Sequence, residues 1–159
     1  MQNGSKMIKN KILSILKQIP DPEIPAINIV ELGVVRKIIC NENITQVSIT
    51  PTYIACPAID LIGKLIKEKL VKFGYKNINI KMVYYPTWTT DWISEETKLK
   101  LKNYGISPPN LINSKNKKII CPKCNSNNTS LKSFFSSTPC KSLHKCNDCI
   151  EPFEYFKCI

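Results

Sequence analysis

Two C-x-x-C pairs, Cys121-Pro122-Lys123-Cys124 and Cys146-Asn147-Asp148-Cys149, stand 21 residues apart in a chain of 159 residues. Six of the eight cysteines fall within its last 39 residues, a stretch too short to bury a self-sufficient apolar core. Each pair supplies one knuckle of a tetrahedron, at a spacing close to that of a four-thiolate metal site. Zinc suits four soft thiolates without redox demands, and its binding would supply much of the folding free energy of so small a unit. The spacing therefore predicts a zinc ribbon over residues 119–159. A rubredoxin-like iron centre uses the same knuckles, so the residues leave zinc against iron open, with disulfides the weaker alternative. A closed four-Cys shell has no open coordination position, which assigns it to architecture and not to catalysis. His144 reads as an exposed ribbon residue, not a ligand. Cys140 and Cys158 are left over as additional thiols, packed as small hydrophobes or lying together as a second pair.

Ahead of the ribbon, hydrophobic periodicity changes three times. Ile8, Ile12, Ile15 and Ile19 recur at helical spacing, and Pro20, Pro22 and Pro25 then force an extended loop. Residues 34–40 and 45–50 read as a β-hairpin turning at Asn41-Glu42-Asn43. Ile59, Ile62, Ile66 and Leu70 stripe a helix over 58–72 that Phe73-Gly74 closes, and residues 77–85 alternate as a third strand. The expected fold is α+β: a small α-β-β-α-β domain with a three-stranded mixed sheet, two helices on one face, and the ribbon behind it. Ser94, Glu95 and Glu96 open a further short helix ending at Tyr104-Gly105. Both tryptophans, Trp88 and Trp92, lie in the connection before it, as core anchors in preference to a docking surface. The Pro-, Asn- and Lys-rich stretch 107–118 reads as a linker, which sets the domains at 1–106 and 119–159.

The formal net charge is +11, yet only Arg36 among the 23 basic residues is arginine. Arginine is the residue favoured for bidentate phosphate and base contacts, so a basic nucleic-acid module ranks last among the readings. No apolar run approaches the roughly 20 residues that span a bilayer, and the lysine-studded start lacks a small-residue cleavage site. Reduced thiols in the cytoplasm are the expectation. No glycine-rich phosphate loop is present, and the single histidine offers no catalytic pairing within the first domain. Cys56 is set apart from the other thiols, because it precedes Pro57 at the first position of a helix. Backbone amides and the helix dipole there favour a thiolate. Metal or cluster ligand, nucleophile and buried cap all remain open for it. Cys40, within a strand run, reads as core.

Asp21-Pro22-Glu23-Ile24-Pro25, then Glu31-Leu32-Gly33-Val34-Val35, then Thr50-Pro51-Thr52-Tyr53 leading into Cys56-Pro57, resemble the metal-sulfur cluster assembly domain family that includes SufT-type proteins. Trp88-Thr89-Thr90-Asp91-Trp92-Ile93, the knuckles, Thr138-Pro139-Cys140-Lys141 and Glu151-Pro152-Phe153-Glu154-Tyr155-Phe156-Lys157-Cys158 narrow it. With them, nearly the whole chain resembles the PaaD family, the D subunits of phenylacetyl-CoA epoxidase systems in aerobic phenylacetate degradation. Ile54-Ala55 replaces a usual Ser-Gly pair, Ser136 and Pro139 replace Gly and Ala, and Asn125 replaces a knuckle glycine whose left-handed backbone Asn tolerates. The resemblance implies an accessory component without catalysis of its own, maturing or delivering iron or iron-sulfur centres. Its partners would be the oxygenase and reductase subunits. Cys56, with Asp21, Glu23 and Thr52 nearby, would then form a transient iron or cluster site. The competing reading is a stoichiometric structural subunit of the oxygenase. A homodimer sharing a site is compatible with either.

Overall fold

The computed structural model describes residues 2–41, 43–53, 56–110 and 118–157, with side chains from residue 6 onward. The chain forms two compact units, Met1–Trp88 and Thr89–Ile159. In the first, helix α1 (Gln2–Leu16) buries Ile12, Ile15 and Leu16, while Ile8, at the start of the expected stripe, is 40% exposed. Strands β1 (Val35–Cys40) and β2 (Thr45–Ile49) pair antiparallel, and β3 (Ile78–Met82) joins β2 in parallel, giving a three-stranded mixed sheet of order β1-β2-β3. Helix α2 (Ala58–Lys72) crosses between the two parallel strands.

α1 packs on β1, α2 on β3, and the helices on each other. Gly63 brings α2 close to the sheet, since a Cβ there would stand 3.6 Å from Ile80 and 3.8 Å from Ile49. The α2 C-terminus ends in the Schellman arrangement. The amide of Gly74, at φ +85°, donates to the Val71 carbonyl and that of Tyr75 to the Leu70 carbonyl.

The proline-stiffened loop between α1 and β1 does more than stop the helix. Ile24, Ile27, Ile29, Leu32 and Val34 are all buried, so the loop forms part of the core wall. A bridge between Pro20 and Asn28 closes it, with Asp21 N–H donating to the Ile27 carbonyl at 2.9 Å. Asn28 Oδ1 accepts the Val30 and Glu31 amides while Glu31 Oε2 accepts the Asn28 amide, a reciprocal capping box without a helix behind it. Trp88, 1% exposed, donates its indole N–H to the Leu32 carbonyl at 2.9 Å and so ties the end of this unit to the loop.

The second unit opens with a 3-10 turn, Thr90–Trp92, and helix α3 (Glu95–Asn103), whose N-cap Ser94 accepts the Thr97 amide at 3.2 Å. Strands β4 (Ile106–Ser107), β5 (Thr129–Ser133), β6 (Lys141–Cys146) and β7 (Pro152–Phe156) make a sheet of order β4-β7-β6-β5. Residues 107–118 read as linker from sequence, but β4 pairs in parallel with Glu154–Tyr155. That pairing gathers α3 and β4 into the ribbon's unit. Residues 111–117 of that stretch lie outside the described residues, as do Glu42 of the hairpin turn, Ile54 and Ala55. Among the described residues no helix is long and apolar enough to cross a membrane.

Candidate metal centre

Cys121 and Cys124 precede β5, Cys146 ends β6, and Cys149 sits in the turn to β7, so the two knuckles meet at one end of the sheet. Their four Sγ atoms all lie within 4.8 Å of one another, the one such group of metal-binding side chains among the described residues. Cys121 and Cys149 are 3.7 Å apart and Cys124 and Cys146 3.5 Å. A tetrahedron with metal–sulfur bonds of about 2.3 Å has edges of about 3.8 Å, close to these two separations, so the four residues fit a four-thiolate ion.

The knuckle backbone explains the convergence. Asn125 N–H donates to the Cys121 carbonyl and Cys121 N–H to the Ser126 carbonyl, while Cys146 N–H reaches the Glu151 carbonyl. Each ring needs a left-handed residue after its second cysteine. Asn125 stands at φ +62° and Ile150 at φ +67°. The asparagine tolerates this conformation, whereas a β-branched isoleucine is strained in it, at roughly 1–2 kcal/mol. Polar cross-links hold the knuckles together: Lys123 pairs with Glu151, and Asp148 accepts from Ser126 Oγ and, at 2.7 Å, from Asn128 Nδ2. Those two donors hold the Asp148 carboxyl below its ordinary range.

Four thiols this close cannot all ionise without a cation between them. The Cys149 amide, donating to Cys146 Sγ, draws that thiol down to about 7. Although the Ser126 amide favours its thiolate, burial and the three neighbouring thiols push Cys124 up to about 12. A bound cation reverses the repulsion and holds all four as thiolates.

The remaining thiols are separate. Cys140 is buried, with its Sγ 3.0 Å from Thr138 Oγ1, and it does not join the cage. Cys158 lies outside the described residues. Cys40 is half-exposed, not core, with its Sγ 3.3 Å from Thr45 Oγ1, because its strand lies at the sheet edge. His144 is buried, contrary to its reading as an exposed residue. It stacks on Phe153 with Nε2 3.0 Å from Ser142 Oγ, and burial lowers its pKa.

In the first unit Cys56 is buried just ahead of α2, and Thr52 Oγ1 lies 3.9 Å from its sulfur. Its amide donates to the Tyr53 carbonyl and its carbonyl accepts from Ile59, which closes a turn at the helix mouth. Asp21 is also buried, but its Oδ1 accepts the Glu23 and Ile24 amides at 3.0 and 2.8 Å. That carboxylate therefore shapes the proline loop. Of the four residues grouped from sequence, Thr52 stands beside Cys56, and Asp21 Oδ1 accepts the Glu23 amide within the proline loop.

Residues 9–80 match the model of an iron-sulfur cluster assembly protein, and residues 106–157 that of the PaaD zinc beta ribbon domain. An Escherichia coli K12 protein named as a 1,2-phenylacetyl-CoA epoxidase component, the D subunit, is 40% identical, over 94% of this chain and 93% of its own length. A Porphyromonas gingivalis Fe-S protein maturation auxiliary factor is 31% identical over 64% of this chain and 97% of its own length. Among solved structures, a domain of unknown function, DUF59, from Bacillus anthracis superposes with a TM-score of 0.59 at 27% identity, over 64% of this chain and 97% of that one.

Proposed function

Because the chain belongs to the PaaD family of epoxidase D subunits, we propose that it is an accessory protein that delivers iron or an iron-sulfur centre within a multi-subunit phenylacetyl-CoA epoxidase. One observation carries the reading: two thiol environments of opposite character in one chain. The ribbon places four sulfurs at tetrahedral spacing with nothing left open, which suits an ion that stays. Zinc is the ion we assign there, as the metal that four thiolates hold without redox activity. Cys56 is a lone thiol at a helix mouth with a hydroxyl as its neighbour. A single thiolate holds iron or a cluster only with ligands from elsewhere, so its cargo is labile and can pass to a recipient.

The maturation factors that resemble the first unit favour this assignment. The oxygenase and its reductase are the recipients, the cytoplasm is the compartment, and the chain carries out no catalysis itself. Asp21, Glu23 and Thr52 are the candidates that assist Cys56 in holding the cargo, and a second copy or the recipient completes the ligand set.

Metal and acid-labile sulfide analysis of protein purified without oxygen tests this, with wild type beside Cys56→Ser. Zinc retained in both, with iron and sulfide bound by wild type alone after reconstitution, is the expected result. Zinc without iron in wild type, or equal iron in Cys56→Ser, overturns delivery and leaves a structural subunit of the oxygenase.

A further inference from the structure

The β5-β6 hairpin of the second unit carries two adjacent phenylalanines in water. Phe134 is 71% and Phe135 64% exposed, and Leu131 on the same strand is 43% exposed. β5 is the edge strand of its sheet, so among the described residues no strand pairs its outer amides and carbonyls.

A loose loop would let the rings fold back, but this tip is wired in place. Phe135 N–H donates to Ser133 Oγ at 3.2 Å, and Lys157 Nζ donates to the Phe134 carbonyl at 2.9 Å while standing 4.6 Å from the Phe135 ring centroid. Behind the rings, Glu154 accepts from Ser136 Oγ at 2.6 Å, from the Ser137 amide at 3.1 Å and from the buried Lys141 Nζ at 2.8 Å. An exposed pair of aromatic rings on a tip braced by a part-buried ion pair has the form of an interaction surface with its ordering already done.

Charge selects the occupant. The ribbon's three carboxylates, Asp148, Glu151 and Glu154, are each bound by the ribbon's own side chains, whereas Lys132, Lys145 and Lys157 form no ion pair among the described residues. The patch therefore offers aromatic rings and ammonium groups and no free carboxylate. A second copy, equally cationic, has at its tip only the Glu154 carboxylate, already engaged by Lys141, Ser136 and Ser137, to answer those lysines. We infer that this hairpin tip docks into an apolar socket rimmed by carboxylates on another subunit of the epoxidase. The edge strand favours protein over lipid or nucleic acid, because its free backbone groups can be paired by a polypeptide.

This inference rests on the membership of the assembly proposed above. In the full-length chain, binding to the purified oxygenase and reductase subunits is measured for wild type, for Phe134→Ser/Phe135→Ser, and for Lys132→Glu. The cobalt spectrum of the four-Cys centre serves as the check that the ribbon is folded. Loss of at least about 30-fold is expected for the double variant, at the scale of an aromatic hot-spot pair. A smaller, salt-dependent loss is expected for Lys132→Glu. A wild type that binds no subunit overturns the assembly reading and this one together. Tight wild-type binding that the double variant retains overturns only the docking tip. Loss of binding to RNA or to anionic vesicles, with subunit binding intact, reassigns the tip to those ligands.

Discussion

Glu154→Gln isolates the ion pair behind the hairpin tip. The glutamine keeps acceptors for Ser136 and Ser137 but leaves the Lys141 ammonium, whose side chain is 4% exposed, without a countercharge. Burial alone would raise the Glu154 carboxyl, yet hydrogen bonds from Lys141, Ser136 and Ser137 hold it down at about 2. Held from the ordinary 4.5 down to about 2, the carboxyl contributes at most about 3 kcal/mol of electrostatic stabilisation. The glutamate side chain is 24% exposed, and solvent screening brings the expected loss to about 1.5–2 kcal/mol.

A folded pKa below the unfolded one stabilises wherever the unfolded carboxyl is ionised and fades as pH falls through the folded value. The difference between wild type and Glu154→Gln should hold flat from pH 8 to about 5 and narrow only below about 4.5. Denaturant melts of metal-loaded protein give the magnitude, and hydrogen exchange at the Ser137 amide places it. Lys141→Met added to Glu154→Gln should recover most of the loss, because the pair together can be replaced where one member alone cannot. A double-mutant coupling near zero, or an unchanged Ser137 exchange rate, would refute the argument.

Cys146→Ser should abolish the thiolate-to-cobalt charge-transfer band and unfold the second unit, with the first unit's amides still protected from exchange. Because Cys124 sits near 12 and Cys146 near 7 before the ion binds, cobalt binding should release more than one proton. Its apparent affinity should then rise more than about tenfold per unit from pH 6 to 7, and a pH-independent titration counts against the cage. Trp88→Phe strands the Leu32 carbonyl and should cost about 1–3 kcal/mol of the first unit's stability by calorimetry. Asp21→Ala should cost about 1–2 kcal/mol by the same measurement. Asp21→Asn, which keeps the amide acceptor, should recover it, and failure to recover would give the charge itself a role.

Elements with repeated local signals were legible in the sequence. The α2 stripe from Ile59 to Leu70 lies within a helix bounded by proline and glycine, and the four ribbon cysteines carry their geometry in their spacing. What escaped depends on partners far along the chain. β4 is two residues long, and its partner in β7 comes nearly fifty residues later, so no local pattern marks it. The proline loop reads from sequence only as an extended stretch after the helix, because its isoleucines follow no helical or strand period, although they line the core. Ile150 occupies a conformation that its side chain disfavours, imposed by the ring its knuckle closes. In the candidate delivery site, Asp21 and Cys56 are grouped by resemblance, and only coordinates show that one carboxylate oxygen of Asp21 also accepts two amides of its own loop.

The strand order of the ribbon sheet also sets a sequence of events in time. β7 lies between β4 and β6, yet it leaves the ribosome after both. All four sulfurs precede in the chain the strand that fills the middle of the sheet, and the first unit ends at Trp88, well ahead of the first of these ligands. An ion captured by them fixes the end of β6 and the turn that aims β7, so that β7 pairs onto a template already set. Scarcity of metal during synthesis would then stall only the second half of a nascent chain whose first half had already folded.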